Sequence, residues 1–292
     1  MIYELENDRL KVQINSMGAE LWSILDKHTL TEHLWQGDPA VWGRRAPNLF
    51  PICGKLVNDS CVINGKTYHI PMHGFARDYE HQVLSQSKDC IRFRFTQSKE
   101  TLEKYPFSFY LDTCYELHGN QLSCTFEVKN TGSGVLPFSI GFHSGYMCPF
   151  DTEHTIEDYS LVFEKKEAAS QVLCNDFLAG GEKLYLNGEN TIPLHNQLFP
   201  QSFILKGLQS DYVSIVENST GREVRVSISG FPYVVFWSTP QKVPFVCIEP
   251  WYGVPDRADT DGDFLNKTGL QTIAQGESFC CNQTIEIKGR AK

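Results

Sequence analysis

The chain has 292 residues, of which 41% are hydrophobic and 12% aromatic, and this length can bury a large core without disulfides or metal ions. It carries 26 Lys and Arg against 35 Asp and Glu, giving a formal net charge of −9. An acidic chain without a basic run is a poor match for nucleic acid. Its longest apolar runs, such as 233–237, are too short to span a membrane.

The first eight residues contain neither the basic nor the apolar region that is typical of a signal peptide, so we expect a cytoplasmic protein. The ten cysteines include no C-x-x-C pair, and Cys61, Cys124 and Cys247 lie in apolar, strand-like runs. We therefore expect reduced thiols that pack as small hydrophobic groups, with no disulfides and no zinc cluster.

Apolar and polar residues alternate with a period of two along most of the chain, which is typical of strands with one wet face. Asn64-Gly65 lies between two such runs and predicts a tight hairpin. Further turns are predicted at 118–121 and 132–134. The clearest alternating segments are 10–14, 91–95, 122–128 and 224–228.

Helix signals are sparse. A proline-initiated turn is predicted at 38–42, and a helix of about two turns is predicted at 98–105, where Pro106 ends it. The stretch 164–201 is less regular and is interpreted as loops with one hairpin. Because strands and turns recur without a linker, the prediction is a mainly β protein: one large antiparallel β-sandwich over residues 1–292, with few short helices.

Four segments interrupt the alternation by placing charged, His and Gly residues beside bulky apolar ones. Such local departures are where functional residues are expected. They are the segments 42–56, 71–77, 138–146 and 246–256.

The first two segments offer donors for an oxygen-rich ligand. Arg45 and Lys55 lie in a loop with two prolines and two glycines, although both could equally be surface charges. His73 precedes Gly74, which allows a ligand to approach the backbone and the imidazole together. The alternative for His73 is a structural histidine.

The last two segments offer an acid and a base. His143 follows an apolar strand and has glycines two residues away on both sides, an arrangement that suits a general acid. Glu249 ends another apolar strand, where burial would raise its pKa and make it a better base. The alternative is a glutamate bonded to backbone amides. Trp251 or Tyr252 could offer a flat face to a sugar ring.

Taken together and in order, these segments resemble the aldose 1-epimerase (galactose mutarotase) family. The similarity is greatest to a divergent bacterial branch encoded with lactose-utilisation genes, and it extends over nearly the whole chain. The matching motifs are Arg45-x-Pro47-x-Leu49-Phe50-Pro51, His73-Gly74-Phe75-Ala76-Arg77, Gly141-Phe142-His143 and Ile248-Glu249-Pro250-Trp251.

The resemblance implies roles for three residues and a large sandwich fold. His143 would be the general acid and Glu249 the general base, while His73 would contact the ring oxygen or a neighbouring hydroxyl of the sugar. Two positions depart from the classical pattern. Lys55 stands where the family has Arg, and Leu198-Phe199-Pro200-Gln201-Ser202 lacks the expected Asp. Lys keeps the charge but loses the bidentate fork of Arg, so the preferred sugar could differ.

The leading hypothesis is therefore a hexose mutarotase that works without cofactor or metal. One alternative is a hexose-6-phosphate mutarotase, in which Arg45, Lys55 and Arg77 contact the phosphate. Another is a non-catalytic sugar-binding protein on the same fold. A glycosidase is disfavoured because hydrolysis generally needs two carboxylates. We expect a small sugar as ligand, neither nucleic acid nor membrane as partner, and leave a homodimer open.

Overall fold

The computed structural model describes residues 1–199, 201–239 and 244–289, and strands dominate these ranges. The helical segments are α1 (Lys99–Lys104) and short 3₁₀ turns at Val57–Asp59, Ala76–Asp78, Ile156–Asp158 and Phe264–Asn266. In chain order the strands are β1 (Ile2–Glu6), β2 (Leu10–Asn15), β3 (Glu20–Asp26), β4 (Thr31–Glu32), β5 (Ser60–Ile63), β6 (Lys66–His69), β7 (Gln82–Gln86), β8 (Cys90–Thr96), β9 (Phe109–His118), β10 (Gln121–Asn130), β11 (Leu136–Phe138), β12 (Ile140–Gly141), β13 (Ser144–Met147), β14 (Tyr159–Phe163), β15 (Ala168–Asn175), β16 (Leu178–Asn187), β17 (Thr191–Pro193), β18 (Phe203–Lys206), β19 (Tyr212–Glu217), β20 (Glu223–Ser227), β21 (Tyr233–Trp237), β22 (Phe245–Tyr252), β23 (Gln271–Ile273) and β24 (Ser278–Lys288).

These strands form two large antiparallel sheets and three small ones. The nine-stranded sheet has the order β17-β14-β19-β20-β24-β10-β9-β8-β7. The seven-stranded sheet has the order β12-β22-β21-β18-β15-β16, and β13 also pairs with β22. The smaller sheets are β1-β2-β3-β4, β5-β6 and β11-β23.

Aromatic side chains join the two large sheets into a sandwich. Phe126 of β10 stacks on Phe142, which lies between β12 and β13, with ring centroids 4.2 Å apart. Phe163 of β14 meets Phe236 of β21 edge to face at 6.0 Å. These contacts bury the apolar face of each alternating strand. The predicted antiparallel β-sandwich with few short helices is confirmed.

Two local predictions are also confirmed. Asn64 (φ 50°) and Gly65 (φ 76°) form the turn between β5 and β6, a left-handed conformation that this residue pair tolerates well. Helix α1 begins after Ser98, whose hydroxyl accepts a 3.2 Å hydrogen bond from the Thr101 amide. This cap satisfies an otherwise free donor of the first turn.

The stretch 164–201 contains more strand than the sequence indicated. β15 and β16 form a long hairpin whose turn is Asp176-Phe177 (φ 50° and 61°), not Gly180-Gly181 or Asn187-Gly188. Register shifts at Ala169/Ser170 and Val172/Cys174 break the alternation of this hairpin. A strand that contains a β-bulge is not recognised from strict apolar–polar alternation, because the extra residue interrupts the period of two.

All ten cysteines are free, as predicted, and Cys61, Cys124 and Cys247 are buried in the core. Within the described ranges, the helices are too short or too polar to cross a bilayer. The assignment of residues 1–292 to a single domain stays a prediction.

Candidate active site

A cleft of about 270 Å³ lies against β21 and β22, and all four segments that interrupt the strand pattern contribute to its wall. The chain therefore brings together side chains as distant in sequence as Trp42 and Trp251. The lining residues are Trp42, Arg44, Met72, His73, Arg77, His143, Phe177, Ser202, Val235, Trp237, Glu249 and Trp251.

Glu249 lies in the middle of β22, not at the end of a strand as the sequence indicated. It is opposite Val235 of β21, and only 1% of its surface is exposed. Neither of its carboxyl oxygens has a hydrogen-bond partner among the described residues. The structure therefore contradicts the alternative, in which backbone amides hold the Glu249 side chain. Burial raises the pKa of Glu249 well above its usual value, so the protonated form is favoured.

His143 occupies the short connection between β12 and β13, next to Glu249. Its Nε2 lies 3.3 Å from Oε2 of Glu249, although the two atoms are not aligned as a hydrogen bond. The imidazole stacks on Trp42 with ring centroids 5.1 Å apart. Burial, together with the charge of Arg77, lowers the pKa of His143 to about 3.

The flanking glycines allow this connection to pack closely. A Cβ atom on Gly141 would lie 2.4 Å from Cδ1 of Trp251, and one on Gly145 would lie 3.0 Å from Cζ3 of Trp42. Larger residues would push both indoles away. The glycines that the sequence showed on either side of His143 thus let two tryptophans form the cleft wall.

The two pKa shifts describe a pair that carries one proton. An imidazole with a lowered pKa and a carboxyl with a raised one form a neutral pair, in which the proton resides on Glu249. The sequence had suggested imidazolium and carboxylate. Both arrangements contain the same number of protons, and they interconvert by one transfer between adjacent atoms.

His73 is held in a specific tautomer. Its Nδ1 accepts a 3.2 Å hydrogen bond from the Gly54 amide, so Nε2 carries the proton and is a donor. Burial, with the neighbouring His143, lowers the pKa of His73 well below its usual value. His73 has φ 65°, and a Cβ on Gly74 would lie 2.1 Å from the Phe50 carbonyl oxygen. Glycine is required there.

Two predicted ligand donors do not line the cleft. The Arg45 guanidinium donates to the Trp22 carbonyl and to Gln36, and it stacks over the Trp22 ring at 4.0 Å. Lys55 lies 3.5 Å from the Asp176 carboxylate at the tip of the β15–β16 hairpin. The prediction that Arg45 and Lys55 contact the ligand is not supported, because both side chains bind to other residues and do not line the cleft.

The guanidinium groups of the cleft belong to Arg77, which the sequence proposed, and to Arg44, which it did not. Arg44 donates a 2.7 Å hydrogen bond to Asp78, and Arg77 Nη2 donates a 2.6 Å hydrogen bond to the Met72 carbonyl. The Nε of Arg77 has no hydrogen-bond partner among the described residues and lies 3.9 Å from the Asp78 carboxylate. Burial and the charge of Arg44 lower the pKa of Arg77 to about 10, so Arg77 remains cationic at neutral pH.

Three indole rings line the cleft. Trp251, which the sequence proposed, is almost fully buried, and its N–H donates to the Phe142 carbonyl at 3.1 Å. Trp42 and Trp237 are more exposed and meet edge to face at 5.3 Å. Tyr252, the other aromatic residue considered, packs against Phe231 in the core. Trp42 lay in the first unusual segment, whereas Trp237 ends an ordinary-looking strand.

Phe177 and Ser202 are further wall residues that the sequence did not single out for this purpose. Phe177 stands at the tip of the β15–β16 hairpin and is 42% exposed. Ser202 lies at the place where an acidic residue was expected. In the same segment, Pro200 lies outside the described residues. Phe177 has no pattern signal, because a hairpin tip reaches the cleft only through tertiary packing.

One thiol adjoins the acid–base pair. Donor atoms of His143, Glu249 and Cys247 lie within 4.8 Å of one another, and all three residues are buried. Imidazole, carboxylate and thiolate are the groups that bind zinc in proteins.

A sequence model described as aldose 1-epimerase matches residues 1–283. The plasmid and chromosomal forms of protein LacX from Lactococcus lactis subsp. lactis are each 34% identical over 267 residues, covering 87% of this chain and 88% of the relative.

Two solved structures are similar over nearly their whole length. A galactose mutarotase related enzyme from Lactobacillus acidophilus has a TM-score of 0.96 and 33% identity, covering 99% of this chain and 98% of the other. A galactose mutarotase-like protein from Lactobacillus casei ATCC 334 has a TM-score of 0.93 and 31% identity, covering 99% and 100%.

Proposed function

The chain belongs to the aldose 1-epimerase family, and from this premise we propose that it is a mutarotase that interconverts the α and β anomers of a hexose. The observation that carries the proposal is the buried His143–Glu249 pair in the cleft, with 3.3 Å between Nε2 and Oε2. A carboxyl group without a partner is expensive to bury. Its retention beside an imidazole supports a role in proton transfer.

The reaction needs one base and one acid. Glu249 removes the proton from the anomeric hydroxyl while His143 protonates the ring oxygen, so the C1–O5 bond breaks and the open-chain aldehyde forms. Rotation about C1–C2 then exposes the other face of the carbonyl. Reclosure with the two roles reversed gives the other anomer. These steps require neither a metal ion nor a nucleotide, only groups whose proton can be exchanged.

Sugar binding must first redistribute the proton that the pair carries. Without sugar, burial favours the neutral pair with the proton on Glu249. Sugar hydroxyls that donate to the carboxylate would stabilise its ionised form. The proton would then pass to His143 over a short path. The Nε2–H of His73 supports this step as a donor to an oxygen on the ring side of the sugar.

The decisive test is Glu249→Gln, assayed by NMR exchange spectroscopy on equilibrated glucose and galactose. We expect anomer exchange to fall by about three orders of magnitude or more, because the base is lost while the shape of the side chain is kept. The matched control is Glu167→Gln, a buried glutamate that accepts hydrogen bonds from the Gln209 and Ser210 amides far from the catalytic pair. Exchange close to the wild-type rate in the Glu249 variant would refute the assignment.

A hexose 6-phosphate is a second candidate substrate, and the arginines of the cleft favour it. Arg44 and Arg77 face the cleft, and the Asp78 carboxylate forms ion pairs with both of them. The cleft wall therefore carries net positive charge, which favours an anionic sugar.

The two substrates are separated by comparing KM for glucose, galactose and their 6-phosphates in the wild type and in Arg77→Gln. If the phosphate is the physiological ligand, this substitution raises KM for the 6-phosphates by about tenfold or more and leaves KM for the free sugars nearly unchanged. Equal changes for both sugar classes would favour the unphosphorylated hexose. Cytoplasmic location and a homodimer stay predictions.

A further inference from the structure

A nucleophilic group that the proposed reaction does not use lies next to His143 and Glu249, behind the residues that line the cleft. Cys247 precedes Glu249 by two residues on β22, so both side chains lie on the same face of the strand. The thiol is fully buried. We call His143, Cys247 and Glu249 the cleft cluster.

The spacing in the cleft cluster suits a metal ion. His143 Nε2 and Glu249 Oε2 are 3.3 Å apart, which is about the separation of two ligands on a tetrahedral zinc ion with bonds of about 2.0–2.1 Å. The Cys247 sulfur completes a triangle within 4.8 Å. Both carboxyl oxygens of Glu249 lack partners among the described residues, so no existing hydrogen bond to them has to be broken.

We propose that the cleft cluster binds a thiophilic divalent cation of the zinc class, which occupies the position of the sugar's reacting atoms and blocks the cleft. His143 binds through its neutral imidazole, while Glu249 and Cys247 each release a proton to solvent. Thiolate and carboxylate together cancel the charge of the ion. A water molecule from the cleft completes the coordination.

The surrounding charges oppose the cation only in part. Arg77 and Arg44 repel it, but Asp78 lies 2.7 Å from Arg44 and 3.9 Å from Arg77. The borderline-soft metals gain most from the sulfur ligand, so zinc, cobalt and cadmium are preferred over magnesium and calcium.

A second group of potential metal ligands has its carboxylate oxygens already engaged by an arginine. Asp151, His154 and Glu217 also approach within 4.8 Å. Arg222, however, forms ion pairs with both carboxylates of this group. We call these four residues the Arg222 cluster. Because an arginine already occupies its acceptors, it serves as an internal negative control.

The test uses Co²⁺ as a spectroscopic probe of the full chain. Cys90 and Cys114, whose sulfurs are 3.8 Å apart, and the exposed Cys280 are first changed to serine, because they would bind the probe themselves. In this background we expect one bound Co²⁺ with a sulfur-to-cobalt charge-transfer band. Zn²⁺ should abolish the band. Cys247→Ala should remove the charge-transfer band and weaken Co²⁺ binding by at least about tenfold. His154→Ala should change neither the band nor the affinity for Co²⁺.

Two results would overturn the proposal: the absence of a band in the serine background, or a band that survives in Cys247→Ala. Inhibition rests on the proposed function, because it requires that the sugar use this cleft. It is measured separately, as slower anomer exchange with added Zn²⁺ that the Cys247 variant resists. A chain that binds Co²⁺ but never catalyses exchange would refute the mutarotase assignment while leaving the metal site intact.

Discussion

The cleft cluster and the Arg222 cluster both place a histidine beside a fully buried glutamate, yet their electrostatics are opposite. In the Arg222 cluster, burial favours protonated Glu217, but hydrogen bonds from Ser219 and Arg222 outweigh it and lower the pKa of Glu217. In the cleft cluster, Glu249 has no such donors, and burial raises its pKa.

This difference separates a structural site from a functional one. Arg222 connects the loop at Asp151 to the end of β19, and the charges of this cluster compensate one another. Glu249 and His143 instead remain desolvated with unused hydrogen-bonding capacity, which destabilises the folded chain. A protein keeps such a group where a ligand supplies the missing partners.

Matched histidine substitutions should give the largest effect. His143→Asn should lower kcat for anomer exchange by about 10²–10⁴-fold, because it removes the acid. His154→Asn should leave kcat unchanged, since this side chain lies in the Arg222 cluster. Exchange rates are measured by NMR at saturating sugar, and circular dichroism verifies that both variants are folded. Equal losses in the two variants would mean that the clusters do not differ in function.

Matched glutamate substitutions should move stability in opposite directions. Glu217→Gln should destabilise the chain by about 2 kcal/mol, because Arg222 loses its most deeply buried partner. Glu249→Gln should stabilise it at pH 8, on the order of 1 kcal/mol. The raised pKa keeps folded Glu249 protonated while the unfolded chain ionises near pH 4.5, so wild-type stability falls as pH rises above that value. Urea unfolding at pH 4 and pH 8 measures the change in unfolding free energy for both variants. The stabilisation by Glu249→Gln should vanish at pH 4.

The smallest effect concerns His154. A hydrogen bond from His154 to Asp151, together with the charge of Glu217, raises its pKa above the usual value. A raised pKa stabilises the fold fully below about pH 6.5, and this contribution is lost as pH rises through the folded-state pKa. The wild type should therefore lose a little stability above neutrality that His154→Asn does not lose. Parallel pH profiles of the melting temperature in the two proteins would contradict this assignment.

Much of the fold follows from local pattern. The alternation of apolar and polar residues at 122–128 predicts β10, because this local pattern is enough to identify a strand with one buried face. Asn64-Gly65 predicts its turn, and Ser98 its helix cap, because both act within four residues. The sequence predicted one hairpin among loops at 164–201 but not the length or the turn of β15–β16, because its bulges shift the period and its turn contains no glycine.

The sequence by itself singled out the segments that meet at the cleft, since His73, His143 and Glu249 each interrupt an apolar pattern. Tertiary structure alone decided that Arg44 and not Arg45 lines the cleft, because the latter is engaged by Trp22 and Gln36. It also decided that burial shifts the pKa values of His143 and Glu249 in opposite directions and that Cys247 adjoins this pair. Strand pattern depends on near neighbours along the chain, whereas burial, pKa and side-chain direction depend on the packing of elements that are distant in sequence.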